Sequence, residues 1–305
     1  MSSQISVKNM LAELLAISHP LTPFDMPLLD AHGATLAEDI FVGDEIFLAR
    51  GARIRSPQIG LAASLGLSRL PTQPHPRVVV ISAGDDLVEP GQPVEDHEEF
   101  ETNSWMLATA AREAGALAYR VHTIPENHEQ LKAVIEDQLV RADLIVISGE
   151  SNDGSFELIE EVLGEIGEIE IGIPNLDGSG RHCFGTIGED EIPVIALPGD
   201  PMSAYISFEV FIRPMIRTML GVKNVFRPTS KAEIGADIES PIGVAALIRA
   251  TLSDVGTGVP VVTAIADQNQ LVSLSDAHAF ITVPADSPGY LKGEIAEIMI
   301  LDRTI

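Results

Sequence analysis

Between residues 77 and 221 the chain alternates short apolar runs with amphipathic stretches, a pattern that few folds accept. RVVVIS (77–82), LIVIS (144–148) and PVIAL (193–197) are rich in β-branched residues and have no polar face. Strands of that kind are covered on both sides, as in a parallel sheet between helical layers. A further strand is predicted at 117–124. Helical patterns separate these runs. One spans 103–114 and closes at Gly115. A second spans 127–142, with Asn127 as cap and Gln130 three residues on, as in a capping box. A third spans 156–166, with Phe156, Ile159, Val162, Leu163 and Ile166 at helical spacing. The last is apolar, spans 202–220 and closes at Gly221. Together they predict an α/β fold, an αβα sandwich around a mostly parallel sheet.

The flanks read differently. Leu11, Leu14 and Leu15 follow Ser6 at helical spacing, until Pro20, Pro23 and Pro27 break the pattern. A short element is expected at 34–45 and a helix at 56–67. Pro71, Pro74 and Pro76 make 70–77 read as a linker. After residue 228 only short runs remain, at 245–252, 260–266, 279–283 and 295–301, punctuated by Gly and Pro, which predicts a small all-β domain. The expected division is therefore 1–75, 76–221 and 228–305.

The 305 residues carry 19 Lys and Arg against 45 Asp and Glu, a net charge of -26. Such a surface repels nucleic acid and anionic membranes, so neither is expected as the main partner. No apolar run approaches the ~18–20 residues of a membrane helix, and a cytoplasmic protein without membrane insertion is expected. Cys183 is the only cysteine, which excludes an internal disulfide and suits a small core residue.

In open α/β sheets ligands bind beyond the carboxyl ends of the strands. Three such ends carry turn-prone loops: Ser82-Ala83-Gly84-Asp85-Asp86, Ser148-Gly149-Glu150-Ser151-Asn152-Asp153-Gly154 and Leu197-Pro198-Gly199-Asp200-Pro201. Gly and Asp are also ordinary turn residues. Backbone N–H groups at such loops can hold oxyanions, and Asp85, Asp86, Glu157 and Asp200 are candidates to hold Mg²⁺ against a phosphate. The eight histidines show no metal-ligand spacing, and neither a phosphate loop nor a nucleophile elbow is present.

These segments, in this order, resemble the molybdopterin molybdenumtransferase family, which includes the C-terminal domain of gephyrin. The resemblance covers nearly all of the chain. It is carried by GARIRSPQIGLAASLG (51–66), RVVVISAGDDLVEPG (77–91), ETNSWMLATAAREAGA (101–116), ADLIVISGESNDG (142–154), PVIALPGDPMSA (193–204) and SFEVFIRPMIRTMLG (207–221), with weaker support from LVSLSDAHAFITVPADSPGYLKGE (271–294). It implies a molybdopterin-binding type of sandwich and an elongated homodimer. The implied reaction inserts molybdate into adenylylated molybdopterin and releases the nucleotide, with Mg²⁺. Carried over position by position, it implies Asp86 and Glu157 as catalytic acids. It implies Ser82, Gly84, Ser148, Gly149, Arg181, Pro198, Gly199 and Pro201 as substrate-binding residues. Asp86, Glu157 and Asp200 would be the metal ligands. Glu101-Thr102-Asn103 resembles the family's D-S-N.

The departures from the pattern are specific. The family carries an inserted domain between the equivalents of Asp39 and Phe41, opened by a motif of the type P-P-F-D-N-S-A-M-D-G-Y-A, whereas here Leu36-Ala37-Glu38-Asp39-Ile40 runs almost directly into Val42-Gly43-Asp44-Glu45. Glu150 and Asp153 add carboxylates to a loop expected to meet an anion. The lysine aligned with Gly180 is gone, leaving Arg181 one position away, and the family's G-R pair is Gly243-Val244. No Lys or Arg occurs from 143 through 180. Unit charges about 4 Å apart interact by about 4 kcal/mol at an effective dielectric of about 20, so these changes oppose anion binding. The resemblance with its departures implies molybdenum cofactor biosynthesis with turnover impaired or lost. The alternative is a gephyrin-like scaffold that grips a protein partner near its C-terminal domain or dimer interface. A third reading is a module that holds a pterin nucleotide without turning it over.

Overall fold

A computed structural model describes residues 3–124, 127–149, 153–253, 258–266 and 270–301. Its first part contains β1 (Ser3–Ile5), α1 (Val7–Ala16), β2 (Phe24–Pro27), β3 (Thr35–Leu36), β4 (Ile40–Val42), β5 (Glu45–Leu48), α2 (Ser56–Ser64) and β6 (Arg69–Gln73). Helix α1 starts where Ser6 accepts a hydrogen bond from the Asn9 N–H. Strands β2, β6 and β3 form a small antiparallel sheet. This corrects the reading of 70–77 as a linker. The prolines suggested a coil, but Leu70 and Thr72 alternate inward and are fully buried. Pro71 lacks an N–H, yet its carbonyl accepts from Ala37. The element expected at 34–45 is β3 followed by the β4–β5 hairpin, which turns at Gly43 with φ +60°. Phe41, Val42, Ile46 and Phe47 on that hairpin are exposed.

The middle part builds the sheet: β7 (Arg77–Ala83), β8 (Leu87–Val88), β9 (Glu99–Phe100), α3 (Asn103–Ala114), β10 (Leu117–Ile124), α4 (His128–Leu139), β11 (Leu144–Ser148), α5 (Asp153–Ile166), β12 (Gly167–Pro174), β13 (His182–Ile187), β14 (Ile192–Leu197), α6 (Pro201–Ser207), a π-helical turn (Phe208–Ile212) and α7 (Arg213–Met219). The strand order is β1-β12-β13-β14-β11-β7-β10. All neighbours are parallel except β12–β13 and β13–β14. The β-branched runs fill both faces, as the lack of a polar face requires. Val78, Val80, Leu144, Val146, Ile195 and Leu197 pack under α3 and the Phe208–Met219 region. Val79, Ile81, Ile145, Ile147, Val194 and Ala196 pack under α4 and α5. Helix α3 ends at Gly115, whose φ of +109° favours glycine and where a Cβ would displace the tip of the Leu220 side chain, 2.7 Å away. Asn127 caps α4 as expected, but the helix stops at Leu139, short of 142. The single helix expected at 202–220 is divided by the π turn just before Pro214, a residue without an N–H to continue the ladder.

The last part contains β15 (Thr229–Ile234), β16 (Ile238–Glu239), β17 (Ala246–Ser253), β18 (Val261–Ala264), α8 (Gln270–Ser275), β19 (Ala279–Val283), β20 (Gly289–Tyr290) and β21 (Ile295–Ile300). Strands β15-β18-β17-β19-β21 close into a barrel, and β16 pairs with β20. The expected all-β architecture holds, with α8 added. A shared apolar cluster including Met202, Ile206 and Phe280 packs the barrel against α6. No helix among the described residues is long and apolar enough to cross a membrane.

Candidate functional site

The register places the three predicted loops side by side. Ser148 is the partner of Ser82 on one side and of Leu197 on the other, so all three loops leave the same edge of the sheet. The parallel β8–β9 pair brings residues 99–103 to this edge. Its anchor is Glu101, 1% exposed. One carboxylate oxygen accepts from the Ser82 hydroxyl at 2.8 Å and the Ser104 N–H at 2.7 Å. The other accepts from the Ser104 hydroxyl at 2.6 Å and from Arg120 at 3.2 Å. Arg120 also donates to Glu89 and lies 3.8 Å over the Trp105 ring. The resemblance offered Glu101 as part of an E-T-N segment but not as the group that locks the edge. Ser82 and Ser148, expected to bind substrate, are fully buried, with their hydroxyl oxygens 3.3 Å apart. Their side chains serve the lock.

A cavity of about 40 Å³ opens where Glu101, Asn103, Gly149, Gly199 and Pro201 meet. The Asn103 amide donates to the Gly199 carbonyl at 2.7 Å, which fixes which end of the amide is nitrogen. Its Oδ1 is buried and accepts no hydrogen bond from the described residues. A buried acceptor left open favours a ligand or water that brings a donor. Gly149 belongs at this wall, since a Cβ there would lie 3.0 Å from that of Ser155. Gly84 is buried behind the first loop.

On the other side of the third loop a second cavity, of about 200 Å³, separates the sheet edge from the barrel. Asp177, Gly178, Asp200, Ser203, Arg249 and Gln270 are among its lining residues. Asp200 caps α6 and accepts from both the N–H and the hydroxyl of Ser203, at 2.8 and 2.7 Å. Asp and Asn are equally good caps, which explains how Asp tolerates this position. Arg181, the expected substitute for the missing lysine, donates to Glu160 at 2.5 Å and lies 5.0 Å from the centre of the Phe156 ring. Its charge is offset within the protein. His182 anchors the same loop, with its ring nitrogens 3.2 Å from the Gly180 carbonyl and 2.8 Å from the Ser207 hydroxyl. Burial pushes its pKa down to about 4, so the ring is neutral, Nδ1 donates to Gly180 and Nε2 accepts from Ser207. Burial pushes the Cys183 thiol up to about 12, in line with a core role.

The expected metal ligands do not gather. Asp86 is half-buried and Glu157 exposed, and neither forms with Asp200 a group whose oxygens all lie within 4.8 Å of one another. These three carboxylates do not fit a single three-carboxylate Mg²⁺ site. The group that does meet this geometry among the described residues is His128, Glu161 and Glu165, on the outer flank of α4 and α5. Sequence spacing missed it because the three residues come from two helices. Lys132 already binds Glu165 there at 2.7 Å. Glu150 lies outside the described residues, as does the side chain of Asp153.

Gly180 couples two of the loops. Its φ is +64°, and a Cβ would lie 2.9 Å from the Pro198 ring. Gly180→Ala should cost about 1–3 kcal/mol, from the left-handed backbone and the displaced proline. Urea denaturation would measure this, and an unchanged midpoint would mean the loops are not coupled through this contact.

A mostly parallel sheet with the ends of β7, β11 and β14 on one edge, beside a small closed β-barrel, defines an α/β protein with a C-terminal barrel domain. Residues 79–218 match the family model described as "Probable molybdopterin binding domain". Molybdopterin molybdenumtransferase 2 of Mycobacterium tuberculosis is 34% identical over 262 residues, covering 82% of this chain and 62% of that protein. Molybdopterin molybdenumtransferase 1 of the same organism is 31% identical, covering 87% and 63%. A molybdopterin biosynthesis moeA protein from Pyrococcus horikoshii has the same fold, with a TM-score of 0.83 at 18% identity over 98% of this chain and 100% of that one. A molybdenum cofactor biosynthesis protein from Pyrococcus furiosus gives 0.75 at 21% identity over 97% and 99%. The chain belongs to the molybdopterin molybdenumtransferase family. It spans about three-fifths of the length of the curated relatives it matches.

Proposed function

We propose that the chain serves molybdenum cofactor biosynthesis as a molybdopterin molybdenumtransferase-like protein. In this reading it holds an adenylylated molybdopterin at the carboxyl edge of the sheet, and molybdate insertion is impaired or lost. The observation that carries the binding part is the meeting of Gly149 from the second loop and of Gly199 and Pro201 from the third at the open Asn103 acceptor. Asn103 Oδ1 takes a donor from one group of the ligand, since the recess walled by Gly149, Gly199 and Pro201, of about 40 Å³, admits only a small part of it. The impaired-turnover part rests on charge. Arg181 is bound to Glu160, and no other Lys or Arg lies between 143 and 181 to stabilise an oxyanion. Magnesium and a homodimer belong to the same reading as the family's expectations.

Calorimetry with AMP and with adenylylated molybdopterin, each with and without Mg²⁺ and molybdate, tests this. Nucleotide binding without molybdate-dependent release of AMP is expected, and Asn103→Ala should weaken it. Steady Mg²⁺-dependent release, sensitive to Asp86→Ala, would overturn the impairment. No binding at millimolar ligand would favour the second reading, a scaffold. That reading has its own observation, an open groove of about 800 Å³ on the barrel, where Asp237, Glu239 and Glu294 flank Tyr290, Leu291 and Ile295. Such a surface suits a basic, partly apolar peptide.

A further inference from the structure

At the opposite edge of the sheet, a cavity of about 380 Å³ opens between the N-terminal elements and the ends of α3 and α7. His32, Arg53, His75, Arg112, Glu113 and Arg217 are among its lining residues. His75 precedes β7 and Gly115 precedes β10, so the cavity lies at the amino ends of these strands. The candidate site lies at the carboxyl ends, roughly 20 Å away along a seven-residue strand. The cavity is basic in a chain whose net charge is -26.

The contacts show which charges are already matched. Arg112 donates to the Ala118 carbonyl at 2.9 Å. His75 Nδ1 lies 2.6 Å from the Gly115 carbonyl. Glu113 is mostly exposed and stands 3.9 Å from Arg227. The guanidinium groups of Arg53 and Arg217 make no hydrogen bond or ion pair with the described residues. Arg217 is half-buried, and its pKa is lowered first by burial and then by repulsion from Arg213 and Arg53. Helix dipoles account for part of this arrangement. Arg112 and Arg217 occupy the last turns of α3 and α7, where a cation contributes about 0.3–1 kcal/mol. That does not account for Arg53, which a backbone bridge to Thr35 holds beside the same cavity. Cations that share a cavity repel unless an anion lies between them.

We infer that this cavity binds a doubly charged tetrahedral oxyanion of the phosphate class between Arg53 and Arg217, as a site separate from the sheet edge. Free phosphate and the phosphomonoester end of a small metabolite share this chemistry, and the volume admits either. Arginine suits such a group because its planar fork offers paired donors to two oxygens.

The test is calorimetry on the full chain at low ionic strength, with inorganic phosphate in one arm and glycerol phosphate in the other. One saturable site is expected. Arg53→Gln and Arg217→Gln should each weaken it by roughly tenfold or more. Tighter glycerol phosphate binding would assign the site to a phosphomonoester, and the reverse to free phosphate. In phosphate-free buffer Arg217→Gln should be at least as stable as the parent, because a repulsion is relieved. Absence of saturable binding in both arms, or binding that both variants leave unchanged, would overturn the inference. So would a tight phosphate-insensitive dimer that the variants break, since the cavity would then be filled by an acidic segment of a second copy. Arg53 is exposed, so its variant remains informative even where Arg217→Gln unfolds the chain. AMP binding sensitive to Asn103→Ala reports on the sheet edge separately.

Discussion

Glu209→Ala is expected to remove about 3–5 kcal/mol of stability, enough to threaten the folded state of a typical domain. Glu209 lies in the π-helical turn, and its side chain is fully buried. It accepts two hydrogen bonds from Arg227, at 2.8 and 2.7 Å, in a fork-to-fork pair. Arg213 stands 3.8 Å away, with Nε and Nη1 buried and making no hydrogen bond to the described residues. One carboxylate thus balances two largely buried guanidinium groups. Burial opposes the charge of Arg227, but the hydrogen bonds to Glu209 outweigh it and raise the pKa. Burial lowers that of Arg213, and Arg227 lowers it further. Removing the carboxylate leaves Arg227 with only the exposed Glu113 at 3.9 Å and takes from Arg213 its nearest carboxylate. Arg227 also donates to the Leu301 carbonyl at 2.8 Å, which ties the end of the last barrel strand to the helical layer. The variant should therefore also loosen the barrel from the sheet. Urea denaturation at neutral pH followed by two probes, one in each part, would show one transition for the parent and two for Glu209→Ala. A loss below about 1 kcal/mol with a single transition would refute this account. The double variant Glu209→Leu, Arg227→Met should recover much of the loss, since apolar replacement of both partners avoids the stranded charge.

What the sequence revealed follows from how local each signal was. The strands at β7, β11 and β14 were legible because a β-branched run without a polar face has few other uses. Helix α3 was legible to its last residue because Gly115 supplies the left-handed stop. The β12–β13 pair carried a signal that passed unread, since Glu and Ile alternate through EIEIGI with the period of a strand exposed on one face. At β6 the prolines outweighed an equally real alternation of Leu70 and Thr72. At the site, the strand ends were legible from topology alone, but the duties of the side chains were not. Arg181 is taken by Glu160, a residue 21 positions away on another element. Asp200 could have been read as a cap, because Ser203 follows three residues later and Pro201 sits at the first helical position. Asn103 was visible as part of E-T-N, yet only the fold shows one end of its amide held by Gly199 and the other left open.

Glu101→Ala should cost about 3 kcal/mol or more and should also abolish the nucleotide binding proposed for the sheet edge. The two effects have one cause. The carboxylate gathers Ser82 from β7, Ser104 from α3 and Arg120 from β10, elements with no direct covalent reason to align at this edge. Without it the Ser104 hydroxyl loses its acceptor, Ser82 is left with the longer contact to the Ser148 hydroxyl, and Arg120 keeps Glu89 as its remaining carboxylate partner. Each stranded buried donor costs about 1–3 kcal/mol. Asn103 sits two residues further on at the start of α3, so a shift of this turn breaks its 2.7 Å contact with Gly199 and closes or misaligns the cavity. Glu101→Gln separates lock from charge. It keeps the shape and one acceptor for Ser82 and the Ser104 N–H, but it places an amide donor against the Ser104 hydroxyl and Arg120. It should lose less stability than Glu101→Ala, and it should weaken AMP binding only as far as the misplaced amide shifts the turn that carries Asn103, since Arg120 keeps Glu89. Denaturant midpoints and AMP calorimetry on the same two variants distinguish the possibilities. Binding lost in proportion to stability in both would make Glu101 a structural residue alone. Parent-like binding in a destabilised but folded Glu101→Ala protein would mean the loops hold their arrangement without this lock, and the edge cavity would lose its claim as the binding site.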